Sequence, residues 1–215
     1  MRYLLIFVFT FTSFSVYAQG KSPLSKEIEL DHTWRVSMPY LVPDEIIFGY
    51  GKRTSIQMVE LHVKRNLDEK NIIGVKFATW RLFQPMGITW WDGVVDKIES
   101  GTEYYDGYLR ETGIGISYQR MLWKGLFTSI EVLPQIQTYT DLDGNKIKNG
   151  FKLYNSYHLG YHVTIGKKKR FFIEPQVHIN QWMFDNNSPA GFKEFDDKYG
   201  NVFWFEPNLY FGFKF

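Results

Sequence analysis

Alternation of period two, bulky and apolar in one phase and charged or small in the other, recurs along this 215-residue chain. In Arg170–Phe184, Phe171, Ile173, Val177, Ile179 and Met183 alternate with Glu174, Gln176, His178 and Asn180. In Phe151–Ile165, Leu153, Tyr157, Leu159, Tyr161 and Val163 alternate with Lys152, Ser156, His158, His162 and Thr164. Such a pattern makes a strand with one apolar and one polar face. In Asn201–Phe215 the apolar phase is Phe203, Phe205, Pro207, Leu209, Phe211, Phe213 and Phe215, against Glu206, Asn208 and Lys214.

The same reading extends upstream through Leu126–Thr138, Thr112–Trp123, Ile72–Phe83 and Ser55–Arg65, with a first strand expected at Glu45–Gly51. The connections Asn66–Asn71, Lys124–Gly125 and Gly166–Lys169 are short, whereas Gln84–Glu111, Tyr139–Gly150 and Asp185–Gly200 are long. A membrane barrel with short turns at one rim and long loops at the other has this asymmetry. Only the first connection, around Lys52–Thr54, is expected to be tight where a long loop belongs.

Composition supports the same class. Aromatic residues make up 19% of the chain, yet beyond the first residues no apolar run is long enough for a spanning helix. A soluble lipocalin-like barrel with its apolar face inward is the competing architecture. Eight strands enclose a lumen only just wide enough for side chains, and Phe, Tyr, Leu and Ile at so many positions would overfill it. The fold expected is therefore all-β, an eight-stranded antiparallel up-and-down transmembrane β-barrel.

The opening "MRYLLIFVFTFTSFSVYAQG" reads as a signal peptide over residues 1–18, with Arg2 in a basic n-region and Val16-Tyr17-Ala18 before the cleavage point. A periplasmic segment is expected over 19–44 and the barrel over 45–215. The absence of cysteine excludes disulfides and a lipoprotein signal, and a net charge of +2 gives no electrostatic footprint for nucleic acid.

The terminal "FWFEPNLYFGFKF", closing on Phe215 behind Phe213 and Phe211, resembles the C-terminal signature by which outer-membrane barrels are recognised by their assembly machinery. With the signal peptide and the loop asymmetry, the chain resembles the small eight-stranded class, including OmpA- and OmpX-like barrels and the lipid A deacylase and palmitoyltransferase barrels. The resemblance implies an outer-membrane location, contact with membrane lipid and lipopolysaccharide, and a monomeric barrel. The signature departs at Tyr210, where a glycine is common. The lipid-modifying branch departs at Asn180, which stands where a His-x-Ser element would put serine after His178.

Catalytic candidates are the lumen-phase groups His158, His162, His178, Glu174 and Glu206. A three-residue turn at Lys167–Lys169 places His158 opposite His178 and His162 opposite Glu174. Histidine beside glutamate suits a general base, with Ser129 or Ser156 as nucleophile. Equally, charges inside a narrow barrel must be paired, and such networks form ordinary interior packing. No cofactor is implied, and His158 and His162, four apart on a strand, do not make a metal pair. "DLDGN" at Asp141–Asn145 lacks the glycine and glutamate of a calcium loop. The prolines of "LPQI", "IEPQV" and "FEPNL" suggest bulges.

Binding candidates are Trp90, Trp91, Tyr104, Tyr105 and Tyr108, crowded into the longest external loop. They read either as a surface-binding cap or as an interfacial aromatic belt. Three functions are expected from these features. The first is a structural or surface-interaction role through the loops. The second is an envelope lipid-modifying enzyme using lumen His and Glu. The third is binding or passage of a small hydrophobic ligand.

Overall fold

The computed structural model describes residues 34–39, 57–82, 107–199 and 202–215. Their strands are β1 (Trp34–Pro39), β2 (Gln57–Asn66), β3 (Asn71–Leu82), β4 (Tyr108–Trp123), β5 (Leu126–Thr140), β6 (Lys146–Tyr161), β7 (Val163–Ile165), β8 (Phe171–Asn186) and β9 (Val202–Lys214), with one helix, α1 (Ala190–Tyr199), between β8 and β9. All pairings are antiparallel. The sheet runs β6-β5-β4-β3-β2-β1-β9-β8-β7, and β6 also pairs with β8, which closes it into a ring. β6 and β7 are one stave, in one register with β8 across His162, whose backbone N–H donates to Gly125 O at 2.7 Å. The fold is thus an eight-stranded antiparallel barrel.

Short turns share one rim with Trp34, the first described residue, and Phe215. The β4–β5 hairpin turns in two residues, Lys124 (φ 46°) and Gly125 (φ 99°). Two successive positive φ values match the right-handed twist of the flanking strands, and glycine takes the second without steric cost. At the same rim Trp34 and Phe215 exchange both backbone hydrogen bonds, at 3.0 and 3.2 Å.

The first strand differs from expectation. Trp34–Pro39 pairs with both β2 and β9 and so closes the ring, the position assigned from sequence to Glu45–Gly51. Glu45–Gly51 lies outside the described residues. The barrel therefore includes part of the segment 19–44, and the boundary at 44/45 is corrected. Trp34–Pro39 alternates as cleanly (Arg35 and Ser37 buried, Trp34 and Met38 exposed), but six residues ending in proline is a weak signal beside the longer staves. Residues 40–56, with the tight connection expected around Lys52–Thr54, lie outside the described residues.

Two further boundaries moved. The fifth connection contracts to Asp141–Asn145, because Asp141 accepts from Asn145 N (2.8 Å) and Asn145 Nδ2 (3.0 Å) and lets both strands run on to Thr140 and Lys146. In β9 the register shifts between His178↔Glu206 and Asn180↔Phe203, and Phe205 takes φ 58°. This bulge sets Trp204 and Phe205 both outward and turns Phe203 inward against the apolar interior, against the expected phase. By contrast the ladder passes Pro134 and Pro175 without a shift, so those prolines are not bulges.

Elsewhere the expected faces hold. Ile114 (66% exposed), Ile116 (68%) and Ile136 (61%) stand outside, while Glu60, Lys76, Glu131, Glu174 and Lys152 are buried. Gly212 shows how tightly the inside is filled: an added Cβ there would run into the Phe172 ring.

Candidate functional site

Charged side chains fill the interior in tiers. Nearest the turn rim, Glu174 on β8 meets His162 Nδ1 at 2.8 Å and Lys64 Nζ at 3.7 Å, and accepts from Gln119 Nε2 at 3.3 Å. Lys64 in turn donates to Gln119 Oε1 at 2.9 Å. β6 and β7 keep one register with β8, so His162 falls opposite Glu174 and its ring meets this carboxylate.

In the middle tier Lys76 Nζ lies 2.8 Å from Glu131 Oε2 and 3.1 Å from Glu60 Oε2. His62 sits between the same two carboxylates at 3.4 and 3.6 Å. Tyr210 donates to Glu60 Oε2 at 2.9 Å, joining β9 to β2 behind the short β1. His158 Nε2 is 3.5 Å from Glu131 Oε2, and its ring centroid lies 4.1 Å from that of His178. Ser156 donates to Asn180 Oδ1 at 2.5 Å, and Asn180 Nδ2 donates to Glu206 Oε2.

Toward the loop rim Glu111 accepts from Trp80 Nε1 (2.5 Å) and Gln137 Nε2 (2.8 Å) and pairs with Lys152 Nζ at 2.9 Å. The lining on both sides of this pair is apolar, with Ala78, Leu133, Tyr154 and Trp182 toward the turn rim and Leu82 and Leu109 toward the loop rim. Phe192 of α1 packs edge-on against Tyr139 at 5.3 Å and covers this end. On the same helix Asp196 is buried beside Lys152, Trp182, Asp185 and Glu111; burial raises its pKa, with Lys152 opposing.

The structure thus brings together the expected interior pairs. His158 is the register partner of His178, and His162 contacts Glu174. Glu206 is the register partner of His178 but bonds to Asn180. Ser129 is the register partner of His158, whereas Ser156 is committed to Asn180. Trp90, Trp91, Tyr104 and Tyr105 lie outside the described residues. Tyr108, expected in the loop, begins β4, with the Arg81 guanidinium 4.6 Å over its ring.

Sequence reasoning overlooked Lys64, Lys76 and Tyr210 as partners of the interior carboxylates, and it left Glu111 in a loop. A signal for Glu111 was present: Leu109 and Glu111 are in phase with Gly113 and Gly115, so the alternation continues four residues further back than expected. Among the described residues no group of three or more His, Asp or Glu is arranged to hold a metal ion. Chemically, Glu60, Glu131, Glu174 and Glu111 each lie between 2.8 and 3.7 Å from a buried lysine. A cavity of about 610 Å³ lies on the outer wall, lined by side chains of β1 to β5.

No protein-family model matches the chain, and no curated protein does. Among solved structures, the Yersinia pestis outer membrane protein Ail in a phospholipid bilayer nanodisc aligns over 86% of this chain and 99% of its own, at 12% identity and a TM-score of 0.42. A likeness at that level does not distinguish one barrel function from another.

Proposed function

We propose that this chain is an integral outer-membrane β-barrel protein with a structural or surface-interaction role carried by its loops. The observation that supports this is its inverted polarity: aliphatic and aromatic side chains stand exposed around the wall while Lys, Glu and His are paired inside. In water such a wall would be an aggregation surface; in a bilayer it is the lipid face. The long connections 40–56, 83–107 and 187–201 then lie outside the cell, and the short turns and both described chain ends are periplasmic.

On this reading the interior His158, His162, His178, Glu174 and Glu206 are structural. Each is engaged by interior neighbours, and His158 and His178 are only 3% and 4% exposed, so lipid would have no path to them without opening the wall. Leu209, Phe211, Phe213 and Phe215 supply the address read by the assembly machinery, and the wall contacts phospholipid and lipopolysaccharide as a monomer.

Refolding the chain into phospholipid vesicles tests the location. An embedded barrel should migrate faster on a gel when unheated than when boiled, and brominated lipid should quench its tryptophans. A monodisperse protein in detergent-free buffer would refute it. For the loop role, deleting Trp90–Tyr105 should abolish attachment of barrel-bearing vesicles to a surface ligand while the gel shift persists. Attachment unchanged by the deletion would move the role elsewhere.

A further inference from the structure

The outer-wall cavity is a groove running up β2 to β5 from the turn rim. Its walls are Val63, Ile73, Val75, Ile116, Ile130 and Val132, all outward in the alternation. Trp34, Arg65 and Tyr118 stand at its turn-side end, because Trp34↔Arg65, Arg65↔Ile73 and Ile73↔Tyr118 are successive register partners. At about 610 Å³ it falls within the ~300–1,000 Å³ of small-ligand sites, although it lies on a face otherwise studded with side chains.

What distinguishes it from the rest of the wall is its polar end. Arg65 lies over the Trp34 ring at 5.6 Å. One strand pair further, Arg120 Nη1 donates to Asn71 Oδ1 at 3.4 Å, and Tyr118 OH donates to the same oxygen at 2.6 Å. Asp68 in the adjoining turn accepts from Lys70 N, Asn71 N and Asn71 Nδ2, and Arg120 is the cation whose charge acts on it. Among the described residues neither arginine has a carboxylate within ion-pair distance. Arg65 at the turn-side end of the apolar trough and Arg120, one register row nearer the rim, are thus both exposed cations.

We infer that this groove is a binding site for an anionic phospholipid of the periplasmic leaflet, one acyl chain lying along Val63, Val75 and Ile116 and the phosphate held between Arg65 and Arg120. The inference rests on the membrane reading above. Guanidinium matches a phosphate in shape and charge, and the apolar trough excludes a free phosphate as the intended occupant. Tyr118 and Asn71 hold Arg120 toward β3, the strand that lies between it and Arg65.

The full chain is refolded into vesicles of equal parts phosphatidylethanolamine and phosphatidylglycerol, and lipids retained on the released protein are read by native mass spectrometry. Wild type should retain phosphatidylglycerol preferentially. Each of Arg65→Gln and Arg120→Gln should lower that preference about fivefold and the double variant about thirtyfold, from the worth of one cation at an anionic surface. Val75→Trp, which fills the trough on the lipid side, should displace the lipid with both arginines intact. Lys168→Gln, on the β7–β8 turn, should leave the preference unchanged. An embedded protein with no preference, or one weakened equally by Lys168→Gln, overturns the site alone. A protein that never enters the vesicles overturns the membrane reading and the site with it.

Discussion

Replacing Lys76 by methionine tests whether the interior is held by paired charge. Methionine preserves most of the stem volume, so the change removes a cation rather than opening a large cavity. Lys76 is 2% exposed, and its ammonium bridges Glu131 at 2.8 Å and Glu60 at 3.1 Å, both carboxylates themselves buried. Removing one member of a buried ion cluster leaves uncompensated charge and costs about 3–5 kcal/mol. Against a typical folding free energy of ~5–15 kcal/mol, that is a large fraction. Urea titration of the vesicle-refolded barrel at neutral pH, followed by tryptophan fluorescence, reads the loss. Lys70→Met, on the exposed β2–β3 turn, is the control and should stay within ~0.5 kcal/mol. The triple change Glu60→Gln, Lys76→Met, Glu131→Gln should recover much of the loss, since the stranded charges go with the cation. A Lys76→Met barrel within about 1 kcal/mol of wild type would show that the tier is not electrostatically coupled and would refute the reasoning.

Tyr210→Phe removes the bond to Glu60 behind β1 and should cost about 1.5–3 kcal/mol by the same titration, with faster unfolding because the terminal seam opens more readily. Gly212→Ala drives a methyl into Phe172 and should cost about 1–3 kcal/mol, partly restored by Phe172→Leu in the same chain. For Asp196 on α1, burial raises the folded-state pKa above the unfolded one, so ionisation penalises docking of the helix. That penalty is absent below the unfolded value and grows as pH rises through the raised one. Amide exchange in α1 should therefore slow as pH falls through that window after correction for intrinsic rates, and Asp196→Asn should flatten the trend. Asp141 is held below its usual carboxyl value of 3.8 by hydrogen bonds from Asn145, so its NMR titration midpoint should fall below that of an Asp141 peptide. The β5–β6 turn should keep this support above the unfolded value and lose it as pH falls through the lowered one.

The partners inside the barrel were partly legible. His158 opposite His178, and His162 against Glu174, followed from a turn length and the period of a strand, because antiparallel register is fixed once one hairpin is fixed. Lys76 with Glu60 and Glu131 was not legible as a cluster. The register places Lys76 opposite His62 on β2, whereas Glu131 comes from β5, and their meeting depends on how far side chains reach across a closed lumen. Tyr210 reaching Glu60 likewise needs the ring closed by a strand that sequence reading set in the wrong place.

Alternation alone determined that these segments are strands, which face of most is apolar, and that the chain makes a barrel. Each of those properties follows from a period of two and from local turn chemistry, both written in neighbouring residues. Only the tertiary structure decided that Trp34–Pro39 closes the ring, that the Phe205 bulge turns Phe203 inward, and that α1 covers the loop rim with Phe192. It also decided that Trp34, Arg65 and Tyr118, from three different strands, meet at the end of one groove. These depend on which strands become neighbours when the sheet closes, and closure is set by the whole circuit of strands rather than by any one segment.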